Sequence, residues 1–456
     1  MAEESRHASQ YDVIVIGAGI AGLAAAERLG KAGLRVLILE ARARVGGRVW
    51  SLPGVSPDSA IEMGAEFVHG KPPQLDEYLR SHGLKLCELK GRTYCQGENG
   101  TLEPCGDERG EIFARLDKLD PASFADETFQ QTLDTRLADS PDDEKQSARQ
   151  FVGGFHAADP GRISTHSIIY GDRADREIDA ERGFHIVGGY SKLVDALLNS
   201  LPETVTLRTR LPVTQIDWRR DLVVVLAGSE NSEKLQEFIA PRVVVTLPLG
   251  VLQQELQPLG AVTFKPPLVE KRHALGKLAM GPAIHATLRF ESVFWEDPKV
   301  MGERTLRDPH FVFSDDPSFP TWWTRAPRHL PLMVGWCAGP CAQAKASLEE
   351  GELCSQALQA LARILGLPGS LVAERLTHFY HHDWQADPYS RGAYSYVLAG
   401  GMGAQQELAT PLADRLFFAG EATQTDGHHA TVHGAFSSGI RVAEEVLRAR
   451  GVEPGV

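Results

Sequence analysis

The apolar run Val13–Ile16 leads into Gly17-Ala-Gly19-Ile-Ala-Gly22, then an alanine-rich stretch, a second apolar run Leu37-Ile-Leu39, and Glu40. Strand, glycine turn, helix, strand and acid in that order make a dinucleotide-binding βαβ unit, and no other feature constrains the fold as much. Gly17 allows the tight turn, Gly19 lets backbone approach a pyrophosphate, and Gly22 lets the helix, predicted over 20–32, pack closely on the strand. The phosphates then rest on exposed N–H groups at the helix start, where the helix dipole favours negative charge. Glu40, about 20 residues further on, accepts hydrogen bonds from ribose hydroxyls and repels a 2′-phosphate, which argues against NADP.

The 456 residues predict two or three domains with sizeable cores. No apolar run reaches the roughly 18 residues of a membrane span. Met1–Gln10 is polar without a signal-peptide core, and the terminal Glu-Pro-Gly-Val is no targeting tripeptide. A cytoplasmic location is therefore expected, and no membrane partner. Cys87, Cys95, Cys105, Cys337, Cys341 and Cys354 include no CxxC pair and are expected as reduced thiols. The formal charge of -13 disfavours nucleic acid and suits a cationic small substrate. The paired histidines His381, His382, His428 and His429 lack metal-ligand spacing, so no metal is predicted. A monomer or homodimer is expected.

Strand patterns lie at 204–207, 213–218, 222–226, 239–246, 286–290, 332–336 and 377–380, with a hairpin loop at 228–234. Residues 73–183 read as polar and helix-rich, with loop composition at 96–110; an amphipathic helix is predicted over 349–365 and a closing helix over 434–448. Residues 61–70 form a short strand entering a glycine turn, and 415–421 form another.

Several motifs recur in a fixed order: Glu40-Ala-Arg42, Val45-Gly46-Gly47-Arg48, Val245-Thr-Leu-Pro-Leu-Gly-Val-Leu252, Phe294-Trp295, Trp384 with Pro388 and Gly392-Ala-Tyr394-Ser395, Phe418-Ala-Gly420-Glu421-Ala-Thr423, and Thr431-Val-His-Gly434-Ala435. In these, and over nearly its whole length, the chain resembles the flavin-containing amine oxidases of the monoamine oxidase and polyamine oxidase family. The resemblance implies FAD and an α/β fold, with a discontinuous FAD-binding Rossmann-like domain (1–72, 184–255 and 397–456) and a substrate domain of mixed sheet flanked by helices (73–183 and 256–396). Cofactor contacts are expected from Gly17, Gly19, Ala21, Gly22, Glu40, Ala41, Arg42, Gly46, Gly47, Arg48, Gly64, Ala65, Glu66, Val213, Gly420, Glu421, Thr431 and Val432. Within that set Arg48 suits the pyrophosphate and ring side. Val213 offers backbone to adenine, Glu421 holds the ribityl or phosphate region, and the Val432 N–H serves the flavin O2/N1 edge, where a helix N-terminus favours negative charge.

On the substrate side, Tyr394 matches one wall of the family's aromatic cage, and its ring face attracts a cation by ~1–2 kcal/mol when desolvated. Thr431 stands where monoamine oxidases carry the second tyrosine, and this favours the polyamine oxidase branch. Trp384 either completes an aromatic wall or is a core tryptophan. The family lysine that holds a water against flavin N5 is here replaced by His285, which takes over that water and, when protonated, favours reaction with oxygen, or else is a strand histidine pointing elsewhere. His69 either meets a distal nitrogen of the substrate or is a loop histidine. The acids of 172–181 either bind a second ammonium or are solvated.

The implied reaction is oxidation of an extended amine by hydride transfer to flavin, with O2 as acceptor, giving imine or aldehyde and H2O2. An L-amino acid or monoamine oxidase is the alternative within the enzyme class. A demethylase-like or scaffold role is the alternative outside it, against which the expected absence of a helical insert, an extra binding module and a basic patch argues. Ala393 occupies the position of the flavin-linked cysteine of monoamine oxidases and offers no nucleophile. Denaturation followed by filtration is expected to release all of the yellow cofactor into the filtrate; colour retained on the polypeptide would contradict a non-covalent FAD.

Overall fold

A computed structural model of the chain describes residues 10–97, 99–106, 110–219, 221–228, 235–254 and 258–452. Its centre is a five-stranded parallel sheet in the spatial order Val205–Arg208, Val36–Leu39, Val13–Ile16, Arg242–Val245, Leu416–Phe418. All four residues of each of Val13–Ile16 and Val36–Leu39 are buried, because helices cover one face and a second sheet covers the other. The helix Ile20–Lys31 starts where the glycine turn predicts. Gly17 has φ +99°, and a Cβ on Gly22 would lie 2.0 Å from the Gly17 carbonyl oxygen, so no larger residue fits this turn.

The last helix, Val432–Ala449, packs on Ile20–Lys31 through Gly439, where an added Cβ would meet the Ala21 carbonyl oxygen at 2.4 Å. A four-stranded sheet (Gln236–Ala240, Val223–Ala227, Val213–Asp217, Thr263–Lys265) lies beside the parallel sheet. In it Thr263–Lys265, on the substrate side of the expected boundary, pairs with Val213–Asp217 on the cofactor side.

The substrate side is built on a seven-stranded mixed sheet ordered Leu376–Tyr380, Ala283–Phe290, Leu332–Ala338, Thr321–Trp323, Pro309–Phe313, Arg92–Gln96, Leu102–Pro104. Helices Asp142–Phe155, Thr165–Glu177 and Glu350–Leu365 flank this half of the molecule. Among the described residues no helix is long and apolar enough to cross a membrane.

Three expectations are corrected. The stretch 239–246 is not one strand: Gln236–Ala240 ends an antiparallel hairpin and Arg242–Val245 enters the parallel sheet. Pro241 between them lacks an N–H and breaks the run. Within the loop-like 96–110, Leu102–Pro104 pairs with Arg92–Gln96 and extends the large sheet. The six cysteines are not all thiols, since Cys95 is bonded to Cys105 and Cys337 to Cys341, while Cys87 and Cys354 are free. The first pair closes the hairpin and the second closes the turn after Leu332–Ala338, closures that sequence spacing alone does not reveal. The hairpin loop expected at 228–234 lies almost wholly outside the described residues.

Because the two helices meet backbone to backbone at Gly439, Gly439→Val forces them apart. It is expected to lower stability by about 1–3 kcal/mol in thermal or denaturant unfolding, with a reduced flavin content after purification.

Candidate active site

A single cavity of ≈ 1190 Å³ is walled by the glycine loops at the end of the parallel sheet and by a chamber of aromatic and imidazole side chains. Every expected site residue except Gly22 lines it; Gly22 lies beneath the turn. The nucleotide half has the features a dinucleotide needs. The helix Ile20–Lys31 has no side-chain cap and no acid in its first turn, so its first N–H groups remain open to an anion. Gly46 donates to the Ala18 carbonyl at 2.8 Å and holds the Gly46-Gly47 loop beside Gly19. Glu40 accepts from the Ala18 and Arg42 N–H groups at 2.8 and 2.9 Å, which fixes its carboxylate at the strand end. With these donors, and with Val213 and Val432 also on the wall, the residues present fit FAD.

Several expected cofactor contacts have other partners. Arg42 pairs with Asp387 at 2.5 Å and donates to Ser390 at 2.9 Å. Arg48 donates to Glu421 and to the Ala393 carbonyl, both at 2.8 Å. The other oxygen of Glu421 accepts from the Ser395 hydroxyl at 2.6 Å and the Ala430 N–H at 3.1 Å, so this carboxylate braces Arg48 and the loop before the last helix. Burial pushes the Glu421 carboxyl upward, but the Arg48 charge and the Ser395 hydrogen bond outweigh it and hold the carboxyl low. Thr431 caps the last helix, accepting from the Gly434 N–H at 2.9 Å, and Val432 and His433 of the first turn line the cavity with it.

Tyr394 lines the chamber with its hydroxyl donating to the Phe155 carbonyl at 2.8 Å. Trp384 is almost wholly buried, donates to the Met63 carbonyl at 2.7 Å, packs against Gly64 and also lines the cavity, so it serves core and wall together. Trp336, which sequence reading missed, packs in the same apolar cluster as Tyr394, and its indole N–H donates to the Gly154 carbonyl at 2.9 Å. Both polar tips are thus tied to the end of one helix, Asp142–Phe155. His69 stands 6.1 Å from the Phe155 ring. Of the acids in 172–181, Asp175 and Glu181 line the cavity, whereas Asp172 is buried away from it.

His285 lies on Ala283–Phe290, the second strand of the large sheet, with its Nε2 2.8 Å from Glu66. Glu66, expected among the cofactor contacts, lines the cavity and is the hub of a buried cluster. It accepts from Trp323 Nε1 at 3.0 Å and from Arg325, with His185 at 3.8 Å. Burial favours its neutral form, yet Arg325 and His285 hold the carboxyl down at about 2. Burial also depresses His310, to about 4, and His433, to about 3, on the cavity wall, and His185, to about 3, beside Glu66, so these imidazoles are uncharged at neutral pH. Trp323 and Arg325 are two residues apart and escaped sequence reading, because only the sheet register shows which side of the strand faces Glu66. Glu296, Asp308 and His329 bring three possible metal-ligand atoms within 4.8 Å of one another; none of them lines the cavity.

Glu62, close to this cluster, behaves oppositely. Burial raises its carboxyl to about 7 despite Arg325 and the hydrogen bonds from Ser51 and the Tyr190 N–H. A carboxyl raised in the folded state contributes stability in acid, and that contribution is lost as pH climbs from 4.5 through about 7. Glu62→Gln is therefore expected to stabilise the fold at pH ~8 relative to pH ~5, by up to roughly 3 kcal/mol. Melting temperatures of both proteins at the two pH values check this.

Residues 20–447 match the family described as flavin containing amine oxidoreductase. Among curated proteins, the chain is 30% identical over 466 residues to "Lysine-specific histone demethylase 1 homolog 2" of Arabidopsis thaliana, covering 96% of this chain and 59% of that protein. It is 27% identical over 491 residues to "Polyamine oxidase 5" of Oryza sativa subsp. japonica, covering 99% and 91%. The fold superposes on putrescine oxidase bound to putrescine with a TM-score of 0.78 at 22% identity, over 96% of this chain and 99% of that one. The chain thus spans under two thirds of the demethylase homologue and nearly all of the polyamine oxidase, and it belongs to the flavin-containing amine oxidoreductase family.

Proposed function

We propose that the protein is an FAD-dependent oxidase of extended, cationic amines, with FAD held non-covalently. The observation that carries this reading is the continuity of one cavity from the uncapped helix N-terminus and Glu40 to the chamber of Tyr394, Trp336 and His285. When bound, FAD accepts hydride from the amine α-carbon and passes electrons to oxygen. The open N–H groups of Ile20–Lys31 and of the last helix hold its anionic parts, and Glu40 takes the ribose hydroxyls.

On the substrate side Glu66 is balanced by Arg325 and Glu88 by Arg182, and Asp175, Glu181 and Asp315 add an acidic balance to the wall that attracts ammonium groups. The rings of Phe67, Phe311, Trp323 and Trp336 supply apolar faces for methylene chains, and Tyr394 presents its face to the reacting amine. Asp175 and Glu181 are suited to a second nitrogen, which makes a diamine or polyamine a better fit than a simple monoamine. The likeness to plant polyamine oxidases and the putrescine oxidase fold supports this choice. A methylated lysine side chain in a peptide is the second reading, favoured by the identity to histone demethylase homologues.

Two measurements test the proposal. Peroxide release and anaerobic bleaching are screened over spermine, spermidine, acetylated polyamines, putrescine, aromatic monoamines, amino acids and an N-methyl-lysine peptide; a flavin left yellow by all of them defeats it. With the best amine, Tyr394→Leu is expected to lower kcat/KM about 5- to 30-fold, the kinetic equivalent of losing ~1–2 kcal/mol of cation–ring attraction.

A further inference from the structure

Glu66 divides its two oxygens between different tasks. Oε1 accepts from Arg325 and from Trp323 Nε1, and Oε2 is left to His285 Nε2 at 2.8 Å. A carboxylate held ionised by a buried guanidinium can only accept, so the proton of this hydrogen bond belongs to Nε2. In the neutral ring that fixes the tautomer of His285 and leaves Nδ1 with a bare lone pair. Nδ1 is buried and has no hydrogen-bond partner among the described residues, and the ring to which it belongs lines the cavity. A buried acceptor without a partner, on a ring that lines a cavity, calls for a donor that the described residues do not supply.

We infer that His285, aligned by Glu66, is the base that removes the ammonium proton from the bound substrate, with Glu66 as its positioning residue. The inference rests on the amine oxidase reading above. An amine can give up hydride from its α-carbon only with a lone pair on nitrogen, so an ammonium that enters the chamber must first lose a proton. The N–H bond of the ammonium breaks, its electron pair stays on the substrate nitrogen, and the proton forms an N–H bond at Nδ1. Nothing is oxidised in this step. The imidazolium that results rests on Oε2 of Glu66, which keeps its charge and does not take the proton.

The groups around His285 suit this task. Glu66 and Arg325 together are neutral; His185, His310 and His381 are held toward their uncharged forms by burial. Trp323 and Trp336 stand edge-on to the ring at 5.5 and 6.2 Å and give it apolar neighbours. The proton taken from the substrate is thus the one added charge among these described groups, and it faces an anion already in place.

Two measurements test the inference on the FAD-loaded protein. With histidine 15N-labelled, the parent is expected to show one imidazole, missing in His285→Ala, with its proton on Nε2 in a strong hydrogen bond to carboxylate and its Nδ1 bare. A proton on Nδ1 in the free parent overturns the assignment, and this readout needs no substrate and no Glu66 variant. Stopped-flow anaerobic bleaching by the best amine of the screen is expected to slow by ~10² or more in His285→Ala and to recover in part with added imidazole, whereas a rate constant within about threefold of the parent overturns the base role. Glu66→Gln turns an amide toward Nε2 and is expected to invert the tautomer and slow bleaching likewise; bleaching at the parental rate in a folded, FAD-loaded Glu66→Gln protein overturns the positioning role. If no amine bleaches the flavin, the amine oxidase reading fails, while the tautomer result stands or falls by itself.

Discussion

The pair between Arg48 and Glu421 joins parts of the chain 373 residues apart, and the rest of the site depends on it. Arg48 leaves the glycine loop that faces the first helix; Glu421 follows the last strand of the parallel sheet. Through its second oxygen Glu421 also fixes Ser395 and Ala430, and Arg48 reaches the Ala393 carbonyl. One ion pair, with its carboxylate buried and its guanidinium partly exposed, therefore sets the N-terminal loop, the strand bearing Tyr394 and the turn before the last helix in a common frame. Breaking a buried pair by removing one partner typically costs about 3–5 kcal/mol, because the other charge is left without compensation. The pair thus specifies geometry as much as it stabilises.

Charge in the chamber is distributed by the same logic. Glu66 is ionised because Arg325 faces it, while Glu62, also near Arg325, is raised toward neutrality by its burial. One guanidinium serves the carboxylate that faces His285 and leaves the other largely uncompensated. The neighbouring imidazoles are kept uncharged by desolvation, so they offer the chamber acceptors and ring faces in place of charge.

Much of the cofactor half was legible in the chain because its signals are local. Gly17, Gly19, Gly22 and Glu40 act within one βαβ unit, and the helices 20–32 and 434–448 were read to within two residues of Ile20–Lys31 and Val432–Ala449. The strand at 239–246 was misread as continuous although Pro241 signals the break, since an apolar run on both sides masked it. Glu66 follows Gly64 and Ala65 along the chain, and nothing nearby in sequence shows that Arg325 and Trp323 reach it. Trp384 was open between wall and core, and the Met63 carbonyl that takes its indole N–H lies 321 residues away.

The sequence by itself determined the nucleotide-binding turn, the order of the motifs and the family to which the chain belongs, since each of these is written in residues that act on close neighbours along the chain. Tertiary structure alone decided which groups became partners: Glu66 with His285, Arg42 with Asp387, Trp336 beside Tyr394, and Cys95 with Cys105. Such pairings depend on strand register and on helix ends meeting across hundreds of residues, and in a buried site those contacts, more than residue identity, fix which oxygen is charged and which nitrogen carries the proton.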